Sequence, residues 1–136
     1  MKILALDLGD VHTGVAISDA MGITCQPLTT ISTFRLEEEL GKILSQEQVK
    51  DIVVGYPRTL RGTESKQTEK ILQQFEELKI AFPQYSWKLC DERLTSKHAG
   101  SIQRSNKKSK KPKDKLKIHA VAAALILQTY LESLRF

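Results

Sequence analysis

Two carboxylates, Asp7 and Glu92, stand where an apolar run stops. Asp7 closes the run KILAL near the start of the chain, and Glu92 follows Asp91 at the end of a second run, YSWKLC. An ionised carboxylate at the end of a buried strand is costly unless a cation or several hydrogen-bond donors meet it. In open α/β sheets the carboxyl ends of strands are where ligands bind, and the connection rules lead us to expect these two strands side by side. Carboxylates converging there would hold Mg²⁺ or Mn²⁺, hard ions whose retained waters suit phosphate substrates. Two such ions a few Å apart can activate a water and stabilise the leaving oxygen of a phosphodiester. The simpler alternative has Asp7 accepting backbone N–H bonds from Gly9 and Asp10 in a turn, with Glu92 paired to Arg93 or a lysine.

A second feature points to phosphate. Residues 104–117, RSNKKSKKPKDKLK, hold eight Lys/Arg and one Asp, while the whole chain carries only +5, so the remainder is slightly acidic. The basicity is therefore a local device. Near 104–115 the segment has no apolar side chain to bury and is expected to be mobile. It also has no aromatic residue, so backbone contact rather than base stacking is expected of it. Lys107, Lys108, Lys110 and Lys111 are its leading candidates for holding nucleic acid. Arg58 and Arg61 in the loop RTLRG, and Arg93 beside Glu92, are further ones, with plain surface charge as the alternative. The stretch GDVHTG has the glycine spacing of a P-loop, but Val15 and Ala16 stand where Lys and Ser/Thr are required, which rejects that reading.

The elements that would position these groups follow from periodicity. KILALDL alternates Ile3, Ala5 and Asp7 with Leu4, Leu6 and Leu8, which suits a central strand apolar on both faces. GVAISD reads as a second strand after the tight turn GDVHT, and residues 24 to 32 as a third, so three antiparallel strands open the fold. From Phe34 the period becomes helical through Leu36, Leu40, Ile43 and Leu44, with Thr33 as N-cap and Glu37, Glu38 and Glu39 in or near the first turn. DIVVGYP is a fourth strand. Ile71, Leu72, Phe75, Leu78 and Phe82 mark a second helix capped by Thr63, and Tyr85 to Cys90 form a fifth strand with Trp87 in the core. A short helix is expected from about Ser96 to Gln103. The last helix should begin near Leu116 and bury its centre, AVAAALIL, against the sheet.

A chain of 136 residues is the size of one domain, and we expect a single domain over 1–136. No apolar run approaches the roughly 18 residues of a membrane helix. The opening MKILALDLGD is not a secretory signal, so a cytoplasmic protein without a membrane partner is expected. Cys25 and Cys90 match no metal-binding spacing and read as reduced, buried thiols. The element order predicts an α/β fold of ribonuclease H-like type: a five-stranded mixed sheet, three antiparallel strands then parallel ones, flanked by helices.

DLGDVHTGVAISD resembles the opening motif of the YqgF family of pre-16S rRNA nucleases, also described as Holliday junction resolvase-like proteins. IVVGYPRTLRGTES, CDERLTS and HAVAAALILQTYL resemble its later motifs in order and at suitable spacing. The resemblance implies a ribonuclease H-like nuclease domain, divalent-metal-dependent phosphodiester cleavage with Mg²⁺ or Mn²⁺, and maturation of the 5′ end of 16S rRNA. It places Asp7 as the first catalytic and metal-binding acid and Glu92 as the second. The third acid falls on His119, three residues before the pair Ala122 and Ala123. An imidazole there can ligate a divalent ion, favouring Mn²⁺ over Mg²⁺, but adds no negative charge; a buried histidine in a weakened site is the alternative. His12 is a second departure, at a position where the motif usually carries Arg. The expected partner is RNA, pre-16S rRNA above all, for a monomer or homodimer. The alternatives are a resolvase of four-way DNA and a nucleic-acid-binding protein whose cleavage site has weakened.

Overall fold

The computed structural model describes residues 1–56, 66–91 and 112–134. Its strands are β1 (Lys2–Asp7), β2 (His12–Ser18), β3 (Cys25–Ser32), β4 (Val49–Tyr56) and β5 (Ser86–Asp91). Its helices are α1 (Leu36–Gln46), preceded by a 3₁₀ turn at Thr33–Arg35, then α2 (Lys66–Ala81) and α3 (Pro112–Ser133). The strands form one sheet in the order β3-β2-β1-β4-β5. β1 pairs antiparallel with β2 and β2 antiparallel with β3, while β4 pairs parallel with β1 and β5 parallel with β4. This is the mixed sheet that the element order predicts.

Side-chain parity along β1 divides the core in two. Leu4, Leu6 and Leu8 join Val15, Ile17, Ile52 and Val54 under α1 and α2, where Leu36, Leu40, Leu44, Ile71 and Leu78 close the layer. Ile3 and Ala5 face the other way, with Ala16, Val53 and Cys90, under Ala123, Ile126, Leu127 and Tyr130 of α3. The small side chains Ala5 and Ala16 let α3 lie close to the sheet, and burial of each large aliphatic side chain contributes about 1.5–3 kcal/mol. Trp87 packs at the margin of the first layer and donates its indole N–H to the Phe82 carbonyl at 2.9 Å. Cys25 is half-buried and Cys90 buried, and both thiols lie against carbonyls of α3. Among the described residues no helix is long and apolar enough to cross a membrane.

Several boundaries differ from the sequence reading. β2 begins at His12 rather than Gly14, because its ladder with β3 runs on to His12↔Ser32 after the ladder with β1 has ended at Asp7↔Gly14. The tight turn is correspondingly shorter than GDVHT. Thr33 does not cap α1. Its hydroxyl is taken by Gly9 and Thr13, the chain makes a 3₁₀ turn first, and Arg35 occupies the N-cap without a side-chain cap bond. Glu37, Glu38 and Glu39 do lie in the first turn, where the helix dipole favours them. α3 starts at Pro112, a turn before Leu116, since proline at the first helical position lacks only an N–H that would have no partner there. The expected cap Thr63 and the short helix from Ser96 to Gln103 lie outside the described residues.

The largest correction concerns β1 and β5. They are not side by side: β4 lies between them. The crossover through α1 returns the chain directly beside β1, and the one through α2 then adds β5 beyond it.

Candidate functional site

The end of the sheet where β1 and β4 finish is built from residues without side chains as much as from residues with them. β1 alternates Ile3 and Ala5 toward α3, so Asp7 continues that face at the strand's last position, half-buried. Across the antiparallel register Asp7 lies opposite Gly14. A Cβ added to Gly14 would strike the carbonyl of His119, so the backbone of α3 rests directly on β2 at that point. On the parallel side, Leu6 is level with Val54, which brings Asp7 level with the next residue, Gly55, itself paired with Cys90 on β5. Asp7 is thus flanked by glycine on both sides.

His119 reaches the same place from above. It lies one turn before Ala123, which is fully buried against the sheet, and is itself half-buried. His12 arrives from β2, two residues before Gly14 and therefore on the same face. The two rings are in contact, with centroids 5.4 Å apart and planes inclined at 36°. His12 was legible only as a departure from the family pattern. The signal that would have joined it to Asp7 is strand parity across Gly14, once β2 is known to start at His12.

The turn that joins Asp7 to His12 is held rigidly. A Cβ on Gly9 would collide with the His12 carbonyl. Thr33 donates its hydroxyl to the Gly9 carbonyl at 2.7 Å, and its own backbone N–H bonds the Val11 carbonyl at 2.9 Å. Because that hydroxyl proton is used, the fully buried Thr13 must be the donor in its 2.9 Å bond to the Thr33 hydroxyl oxygen. Asp10 points outward to Lys70 at 3.8 Å, an exposed pair of small energetic value.

Of the residues singled out in the sequence, the structure puts Asp7 opposite Gly14, lays the His119 backbone on that glycine, and sets the His119 ring against that of His12. Glu92, Arg58, Arg61, Arg93, Lys107, Lys108, Lys110 and Lys111 lie outside the described residues; β5 ends at Asp91, immediately before Glu92. Among the described residues no three His, Cys, Asp or Glu side chains are grouped so as to hold a metal ion. By donor chemistry alone, a carboxylate at a strand end supplies oxygen and an imidazole nitrogen, the atoms a divalent ion of this kind accepts.

A family model described as "RuvX: Holliday junction resolvase" matches residues 1–133. The chain belongs to the RuvX family. A RuvX relative from Thermoanaerobacter pseudethanolicus is 40% identical over 138 aligned residues, covering 98% of this chain and 97% of its own. Another, from Rubrobacter xylanophilus, is 35% identical over 132 residues, covering 96% and 92%. Both carry the name "Putative pre-16S rRNA nuclease". Among solved structures this RuvX chain is similar to T. thermophilus RuvC in complex with Holliday junction substrate, with a TM-score of 0.62 and 14% identity, covering 98% of this chain and 96% of that one. A second Thermus thermophilus RuvC structure gives a TM-score of 0.59 at 15% identity. At such identities the likeness is one of fold, and the fold is ribonuclease H-like, as the order of strands and helices predicts.

Proposed function

We propose that this RuvX chain is a divalent-metal-dependent nuclease that cleaves phosphodiesters of structured RNA and trims the 5′ side of precursor 16S rRNA. The names of its relatives, at 35% and 40% identity over nearly the whole chain, support the substrate. The single observation that carries the chemistry is the placement of Asp7: half-buried, at the end of a central strand, between two glycines, with α3 resting on the glycine opposite it.

In this reading Asp7 holds the ion through its carboxylate oxygens, Glu92 supplies the second carboxylate and His119 a nitrogen. When bound, a divalent ion supplies a Lewis acid for the phosphate and lowers the pKa of a water to the range where it attacks at neutral pH. The chain's own work is positional. Gly14 lets the backbone of α3 come down beside the strand end of Asp7, and the Thr13–Thr33–Gly9 bonds keep the turn after Asp7 from shifting. Lys107, Lys108, Lys110 and Lys111 hold the RNA backbone, with Arg58, Arg61 and Arg93 as further phosphate contacts.

The test is cleavage of a 5′-extended 16S rRNA precursor by the purified protein in Mn²⁺ and in Mg²⁺. We expect cleavage that is faster in Mn²⁺ and at least about a hundredfold slower in Asp7→Asn, with the thermal transition retained. RNA binding without cleavage in either ion, by folded protein, would overturn the enzymatic reading in favour of a weakened site. Cleavage of four-way DNA in preference to the RNA would instead support the resolvase activity that the family description names.

A further inference from the structure

His12 of β2 and His119 of α3 touch one another. Among the described residues no hydrogen bond or ion pair engages either ring. Both are half-buried at the rim of the site, and both backbones are fixed: the His12 carbonyl is packed on Gly9 and the His119 carbonyl on Gly14. Two imidazoles in contact on two rigid elements, with no hydrogen-bond or ion-pair partner among the described residues, leave their nitrogens available to a ligand.

We infer that His12 and His119 form a two-histidine site for a borderline divalent transition ion of the Zn²⁺, Ni²⁺ and Co²⁺ class. The spacing suits it. With metal–nitrogen bonds of about 2.1 Å, and ring nitrogens about 1.1 Å from the ring centre, two imidazoles sharing a tetrahedral ion have centres about 5.2 Å apart. The observed separation is 5.4 Å. Imidazole nitrogen favours these ions over Mg²⁺, whose preference is for oxygen. Water fills the remaining positions.

The site shares His119 with the proposed nuclease centre but stands on the His12–His119 contact and not on cleavage, so its test reads binding. Tag-free full-length protein is titrated with Ni²⁺ and Zn²⁺ by calorimetry, and with Co²⁺ by visible absorption, which reports tetrahedral nitrogen coordination. We expect one ion per chain, not displaced by millimolar Mg²⁺, and weakened at least about tenfold by His12→Ala and equally by His119→Ala. His98→Ala, which removes the remaining histidine, should leave binding unchanged. Should either alanine variant fail to fold, His12→Gln and His119→Asn preserve much of the shape while removing the imidazole. Absence of Ni²⁺ binding, binding insensitive to both substitutions, or binding lost only in His98→Ala would each overturn the inference. Loss of RNA cleavage in wild type with Ni²⁺ binding intact would sink the nuclease reading and leave this site standing.

Discussion

Glycine does at the site what a side chain does elsewhere: it decides how near two backbones come. Gly14 lets the His119 carbonyl of α3 rest on β2, and any Cβ there must push the helix off the sheet because the opposing atoms are backbone. We therefore expect Gly14→Ala to destabilise the fold by about 1–3 kcal/mol, the usual range for forced overpacking, and to part the two histidines. Gly41 is the contrasting case. It lies within α1, and a Cβ there would meet only the Phe82 ring at 3.7 and 3.8 Å, an ordinary contact. Gly41→Ala should stabilise by about 0.5–1 kcal/mol through helix propensity. Urea unfolding of both variants checks the pair; equal effects, or a neutral Gly14→Ala, would refute the close approach of α3. In the sequence the two glycines look alike. Only the identity of the atoms opposite them gives opposite signs.

At the level of elements, the β2–β3 hairpin is closed by an ionised carboxylate. Asp19 closes it by accepting the backbone N–H groups of Ile23 at 2.7 Å and Thr24 at 3.3 Å, around Gly22 in the left-handed region at φ 69°. The Ile23 N–H, foremost, holds the carboxyl below its usual range; desolvation opposes it, and the weaker bonds from Thr24 and Gly22 add to the lowering. A group whose folded pKa is depressed stabilises the fold above its unfolded pKa, and that stabilisation is lost as pH falls through the folded value. Asp19→Asn should consequently lower the thermal midpoint at pH 7, and the difference from wild type should shrink below about pH 4. A difference that stays constant to pH 2.5 would count against the ionised carboxylate as its source. The same hairpin carries His12 at its far end, so its rigidity bears on the site. Strand β3 itself was readable as a strand, whereas its register was not: Pro27 has no N–H to give, and the pairing shifts between Val15 and Ala16 opposite it.

For the molecule as a whole, charge is segregated: a slightly acidic body, and a lysine-rich segment placed by the chain order between β5 and the main length of α3. If that segment holds RNA phosphates, binding must weaken steeply with salt. Changing Lys107, Lys108, Lys110 and Lys111 together to Gln should reduce the slope of log K against log salt by about 3, the counterions released by four contacts on single-stranded RNA. Filter binding or fluorescence anisotropy over a salt series measures this. An unchanged slope would remove the segment from the interface.

The alternation of KILALD, the helical spacing of Leu36, Leu40 and Leu44 and the apolar centre of α3 determined the elements and which faces they bury, because side-chain direction repeats locally along strand and helix. Asp7 was legible for the same reason: a charge at the end of such a strand is conspicuous in one dimension. What tertiary structure decided is what lies across from what. It set β4 and its Gly55 between the strands of Asp7 and Cys90, moved Thr33 from a helix cap to a brace under the Gly9 turn, and laid α3 on Gly14 so that His119 meets His12. None of these leaves a periodic trace in the sequence, since each depends on two segments distant along the chain being packed at one distance and in one register.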